Sequence, residues 1–114
     1  MTSSFKHLLS PITIGNKEIR NRVVSTAHGT GYAVDGKVSD QLIAYHMERA
    51  RGGVGLIVME ATGVDSAPIG AKGGSYLRNS DDSVIPGYQR LAKAVHAEGT
   101  TVYTMLSHSG RNTV

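Results

Sequence analysis

A chain of 114 residues, 39% hydrophobic and 18% charged, has the make-up of an ordinary α/β protein with one modest core. It has no cysteine, which excludes disulfides, thiolate metal sites and cysteine nucleophiles and agrees with a reducing compartment. The formal charge of +3 comes from scattered Lys and Arg without a basic run, and no stretch approaches the roughly 18 apolar residues of a membrane span. Nucleic acid and membrane are therefore not expected as partners, and the protein is expected to be soluble and cytoplasmic.

In chain order, Ile12, Ile14 and Ile19 alternate around Gly15-Asn16-Lys17 and read as a β-hairpin too small to carry a core. Residues 22–26 form the first fully buried strand candidate, which exits into Ala27-His28-Gly29-Thr30-Gly31, where small residues let the backbone approach a ligand. After a turn at Asp35-Gly36, Ser39 is the expected N-cap of a helix. Asp40 suits its positive end, Leu42, Ile43, Met47 and Ala50 share one face, and Gly52-Gly53 end it. The unbroken apolar run over residues 54–59 suits a strand buried on both faces. A long loop is expected from Glu60 to about Ser83. A second helix follows, with Pro86 in its first turn, Tyr88, Leu91, Ala92 and Val95 on one face and Gly99 as its stop. Residues 101–106 form a third strand that runs into Ser107-His108-Ser109-Gly110-Arg111.

Helices alternating with strands imply parallel strands, whose carboxyl ends hold ligands in both barrels and doubly wound sheets. Three such ends converge: Ala27-His28-Gly29, Glu60-Ala61-Thr62 and Leu106-Ser107-His108. From chemistry alone, His28, Glu60 and His108 are donors for a metal-dependent barrel hydrolase, although no local ligand spacing supports it. A dinucleotide fingerprint fails, because Val34 stands where Gly29-Thr30-Gly31 would need its third glycine.

Leu9-Ser10-Pro11-Ile12-Thr13-Ile14-Gly15, Lys17-Glu18-Ile19-Arg20-Asn21-Arg22-Val23-Val24 and Tyr45-His46-Met47-Glu48-Arg49-Ala50-Arg51-Gly52-Gly53-Val54-Gly55-Leu56-Ile57 carry a resemblance. So do Glu60-Ala61-Thr62, Ile85-Pro86-Gly87 and Leu106-Ser107-His108-Ser109-Gly110-Arg111. Together they resemble the amino-terminal part of the Old Yellow Enzyme-like NADH:flavin oxidoreductases. The resemblance implies an α/β fold, the amino-terminal portion of a (β/α)8 TIM barrel: a hairpin that caps the bottom, three β strands and two helices. Residues 1–114 would be an incomplete part of a single FMN-binding barrel domain. The implied cofactor is FMN, with NAD(P)H as reductant and a small molecule as substrate, and hydride passes through the flavin to an acceptor. The positions that match the family's flavin contacts are Thr26, Ala27, His28 and Gly29 after the first strand, Ala61 after the second, and Met105 in the third. No metal is implied, and the catalytic residues are not assigned within these 114 positions.

Departures from the family pattern sharpen this. Many relatives have proline at Ala27 and glutamine at Met105, whose thioether is only a weak acceptor and cannot donate. A cysteinyl-flavin link is excluded at Gly29. His28 resembles the branch that oxidises N-methylated amines and betaines. A full barrel needs about 250 residues, so the chain reads as a fragment, expected to be inactive alone, marginally stable and a poor binder of FMN. A non-catalytic remnant is the bland alternative. Before the resemblance, His28 is equally a loop hydrogen bonder, Glu60 a structural one, Met105 a core residue and Arg111 an ion-pair partner, while His46 and His96 are packing or surface residues.

Overall fold

The structure is a computed structural model that describes residues 4–65 and 76–112. A hairpin opens it: β1 (Ile12–Ile14) and β2 (Lys17–Ile19) pair antiparallel, with Ile12 opposite Ile19. Gly15, with φ of 63°, supplies the left-handed residue the tight turn needs. Ile19 is the one of the three isoleucines that is fully buried, so the hairpin adds little core of its own.

Next come β3 (Val24–Ser25), α1 (Asp40–Arg51), β4 (Leu56–Gly63), β5 (Leu77–Arg78), α2 (Ile85–Ala97) and β6 (Thr101–Ser107), with a 3-10 turn at Asp82–Val84 before α2 and another at Gly110–Asn112 after β6. β4 is the central strand. It pairs in parallel with β3 at Leu56 and Ile57, with β6 along its whole length, and with β5 at Thr62 and Gly63. Leu56 pairs with both Val24 and Thr101, and Thr62 with both Leu77 and Leu106. β3 and β5 therefore share one edge of β4, and β6 holds the other.

Local chemistry accounts for both helices. Ser39 Oγ accepts the Leu42 N–H at 3.1 Å while its hydroxyl donates to the Tyr32 carbonyl, so one side chain caps α1 and ties it to the preceding loop. Asp40 lies in the first turn and Arg49 and Arg51 in the last, each complementing the helix dipole. Pro86 stands in the first turn of α2, where its missing N–H has no helical acceptor to lose.

Leu42 and Ala50 of α1, Leu91 and Val95 of α2, and Ile57 and Met59 of β4 form the core, with Leu77 of β5 and partly buried Val102 of β6 against it. Burying each large aliphatic side chain contributes about 1.5–3 kcal/mol. By strand alternation this puts Ile57 and Val102 on the helix-facing side, and Val24, Leu56, Val58, Tyr103 and Met105 on the opposite face. In a closed barrel that second face is the interior.

The end of the sheet where β4 and β6 begin is held by a short run of polar residues. Arg20 donates to the carbonyls of Ala50, Val54 and Glu98 at 2.7–3.0 Å and to Thr100 Oγ1 at 2.9 Å, joining the C-terminal ends of both helices to the strands that follow. Asn21 Nδ2 donates to the Gly53 carbonyl, and Asn21 Oδ1 accepts from Val23 N. A Cβ at Gly55 would lie 2.5 Å from Asn21 Oδ1 and 2.6 Å from the Asn21 carbonyl, so only glycine lets β4 start against this segment.

Three expectations need correction. The first strand is two residues long, not five, and is not buried: Val23 and Val24 are 38% and 45% exposed, because among the described residues β3 pairs with β4 alone. β4 does not stop at Met59 but runs to Gly63, so Glu60, Ala61 and Thr62 are strand residues and not the start of a loop. β5 and a 3-10 turn then interrupt the expected long loop, of which residues 66–75 lie outside the described residues.

Candidate functional site

The rim is set by where the strands let go. After Ser25 the chain leaves the sheet as open coil over residues 26–30. Thr26, His28 and Gly29 are exposed and Ala27 is half-buried. Among the described residues, the main-chain N–H groups of Ala27, His28 and Gly29 meet no acceptor. A Cβ placed on Gly29 would lie in ordinary van der Waals contact with the Tyr76 ring, 4.0 Å from Cε1.

The His28 ring is bonded within the chain at both nitrogens. Nδ1 lies 2.8 Å from the Thr26 carbonyl and Nε2 lies 2.5 Å from Tyr45 Oη. A carbonyl only accepts, so Nδ1 carries the proton, and in the neutral ring Nε2 accepts from the Tyr45 hydroxyl. Both nitrogens are thereby used within the chain, and what His28 offers a ligand is its main chain. Tyr45 is the hub of this cluster: its ring meets those of His28, Tyr32 and His46 edge-on at 5.3–5.7 Å, and the Arg49 guanidinium lies over it at 3.5 Å. His46 is buried behind it. Burial, then the Arg49 charge, then His28 push its imidazole down to about 4, so it is neutral at physiological pH.

The second wall depends on a β-bulge. Val58 and Met59 of β4 face Tyr103 and Thr104 of β6, but the next pair is Ala61 with Met105, which leaves Glu60 as the extra residue. The bulge resets the alternation, placing Ala61 beside Met105 on the inward face. Ala61 is half-buried and Met105 is 42% exposed on the face that a closed barrel turns inward. Glu60 is 1% exposed; its Oε2 accepts from Thr30 N at 2.6 Å and from Thr30 Oγ1 at 2.8 Å, while Oε1 has no partner among the described residues. On the helix side, Thr62 Oγ1 bonds Thr104 Oγ1 at 2.8 Å and Tyr88 Oη at 3.4 Å. Burial raises the Tyr88 phenol above its ordinary range, and the Glu60 charge adds to this against the bonds from Thr62 and Thr104.

The structure thus gathers Ala27, His28 and Gly29 at one strand end and Ala61 with Met105 at the next two. It does not assemble the alternative metal donors. His28 is tied to Tyr45, Glu60 to Thr30, and His108 Nδ1 accepts from Gly110 N; no group of three such side chains among the described residues could hold an ion. Arg111 is exposed in the last 3-10 turn. Sequence reasoning missed Tyr45 and Thr30. Tyr45 follows Leu42 by three residues on α1 and so shares its face, a signal that was present, whereas nothing local marks Thr30 as the partner of Glu60.

A family model described as NADH:flavin oxidoreductase / NADH oxidase matches residues 7–114, nearly the whole chain. The chain belongs to this family. Its relatives include an NADH oxidase of Thermoanaerobacter brockii, 44% identical over 110 residues that make up 96% of this chain and 17% of that protein. Another is an N,N-dimethylglycine/sarcosine dehydrogenase of Chromohalobacter salexigens, 39% identical over 95% of this chain and 16% of that protein. Among solved structures, a 2-naphthoyl-CoA reductase complex superposes with a TM-score of 0.85 at 31% identity, covering 96% of this chain and 16% of the other. The old yellow enzyme of Trypanosoma cruzi superposes at 0.81 with 27% identity, covering 98% and 29%. The chain therefore spans about a sixth to under a third of these relatives, and its sheet is the amino-terminal portion of their TIM barrel.

Members of this family are enzymes that use FMN with NAD(P)H. The residues present fit such a group: among the described residues the consecutive main-chain donors of Ala27, His28 and Gly29 meet no acceptor at the strand end, and the central strand carries a small residue, Ala61, beside Met105.

Proposed function

We propose that residues 1–114 form the first wall of an FMN site within a single barrel domain. The whole protein passes hydride between NAD(P)H, or an oxidisable small molecule, and an acceptor. The observations that carry this reading are the N–H groups of Ala27, His28 and Gly29, which meet no acceptor among the described residues, and the pairing of Ala61 with Met105 on the inward face. Thr26, Ala27, His28, Gly29, Ala61 and Met105 line one edge of the cofactor.

When bound, FMN supplies the hydride-accepting ring. Fixed amide donors at that edge stabilise the negative charge of the reduced state without reorganising. Ala27 and Gly29 keep the approach to those amides free of side chain. Met105 offers apolar contact in place of a donor. An N-methylated amine or betaine is the favoured substrate class, supported by the identity to the dimethylglycine/sarcosine dehydrogenase and by 35% identity to a probable N-methylproline demethylase of Rhizobium meliloti.

Expression of the complete gene product tests this. The expected result is a yellow protein with flavin absorbance that releases FMN on denaturation, and a product that stays colourless after incubation with FMN would overturn the reading.

A further inference from the structure

The main chain of residues 26–30 does little to define its own shape: among the described residues it makes no ladder bonds after Ser25, and the N–H groups of Ala27, His28 and Gly29 meet no acceptor. Yet it is held at two points on either side of Gly29. On one side the His28 ring spans from the Thr26 carbonyl to Tyr45 Oη, which is fixed by the Tyr32, His46 and Arg49 contacts around its ring. On the other, Thr30 delivers both its main-chain N–H and its hydroxyl to Glu60 Oε2, and Thr30 Oγ1 also accepts from Tyr32 N at 3.2 Å. Glu60 reaches Thr30 from the bulge between Met59 and Ala61, so the residue that shifts the register of β4 also anchors the neighbouring loop.

We propose that Tyr45 and Glu60 are positioning residues that hold the main chain of Ala27, His28 and Gly29 in the geometry that receives the flavin. This rests on the FMN reading above. Tyr45 acts through His28 and Glu60 through Thr30. The pins work by hydrogen bonding, so an uncharged acceptor of the same length serves in place of the Glu60 carboxylate.

The test uses the complete gene product with Tyr45→Phe, Glu60→Ala and Glu60→Gln, measuring FMN dissociation by fluorescence, the visible flavin spectrum, the flavin midpoint potential and the melting temperature of the apoprotein. Tyr45→Phe is expected to weaken FMN binding about fivefold or more and to shift the flavin bands, with the apoprotein melting temperature little changed. Glu60→Ala is expected to weaken FMN binding about tenfold or more, and Glu60→Gln to restore it to within about threefold of the parent. Unchanged dissociation, spectrum and potential in Tyr45→Phe and Glu60→Ala would overturn the proposal, as would a Glu60→Gln protein that behaves like Glu60→Ala. If Glu60→Ala fails to fold, Thr30→Val, which removes one of the two bonds to the carboxylate, takes its place under the same criterion. A parent protein that binds no FMN would instead overturn the functional reading on which the proposal stands.

Discussion

At the scale of single residues, His46 shows how position decides chemistry. Its imidazole projects from α1, buried against Tyr45 and beside Arg49, and its pKa falls from the ordinary 6.5 to about 4. The unfolded chain therefore takes up a proton between these values that the folded chain refuses. The neutral ring contributes its full stability above pH 6.5, and that contribution is lost as pH falls through 4. The loss is on the order of 3 kcal/mol. Urea midpoints of the complete gene product are expected to fall between pH 6.5 and 4, with His46→Phe flattening the part of the slope due to this group; an unchanged slope would contradict the assignment. The sequence placed His46 near an apolar stripe but left it between packing and surface. Burial depends on what lies across from a helix face, and that is not written in the helix.

At the scale of elements, the segment between the hairpin and β3 works as a clasp. Arg20 reaches the ends of α1 and α2 and the start of β6, elements 30 to 80 residues away. Arg20→Met is expected to leave three carbonyls and a threonine hydroxyl with fewer partners and to cost about 2–4 kcal/mol. Arg20→Lys should recover less than half of that, since an ammonium lacks the planar fork. Chemical denaturation of the complete gene product checks both. Both helices were legible in sequence because caps, glycine stops and a 3.6-residue apolar period are local signals, and Ser39, Pro86 and Gly99 stand where the structure uses them. The ends of β4 were not legible. A bulge depends on the register against β6, so Glu60 looked like the first residue of a loop.

At the scale of the whole molecule, the sheet has a covered and an uncovered face. The helices bury Ile57, Met59 and Val102, while Val24, Tyr103 and Met105 on the other face are 39–45% exposed, and among the described residues β3 and β6 each pair along one edge only. Unpaired ladder groups beside apolar side chains template further pairing. The 114-residue chain alone is therefore expected to associate with rising concentration in sedimentation velocity, and to bind FMN more weakly than the complete gene product. A monodisperse monomer that melts cooperatively with stoichiometric flavin would contradict this.

By itself the sequence determined the hairpin, the two helices and their boundaries, the alternation of helices with parallel strands, and the family. These follow from short-range signals and from motifs that stand in a recognisable order. Only the tertiary structure decided that the His28 ring bonds Tyr45, that Glu60 anchors Thr30, and that Ala61 stands beside Met105. Each of these joins residues 17 to 44 positions apart, and such pairs are set by strand register and helix packing, which no local pattern of side chains encodes.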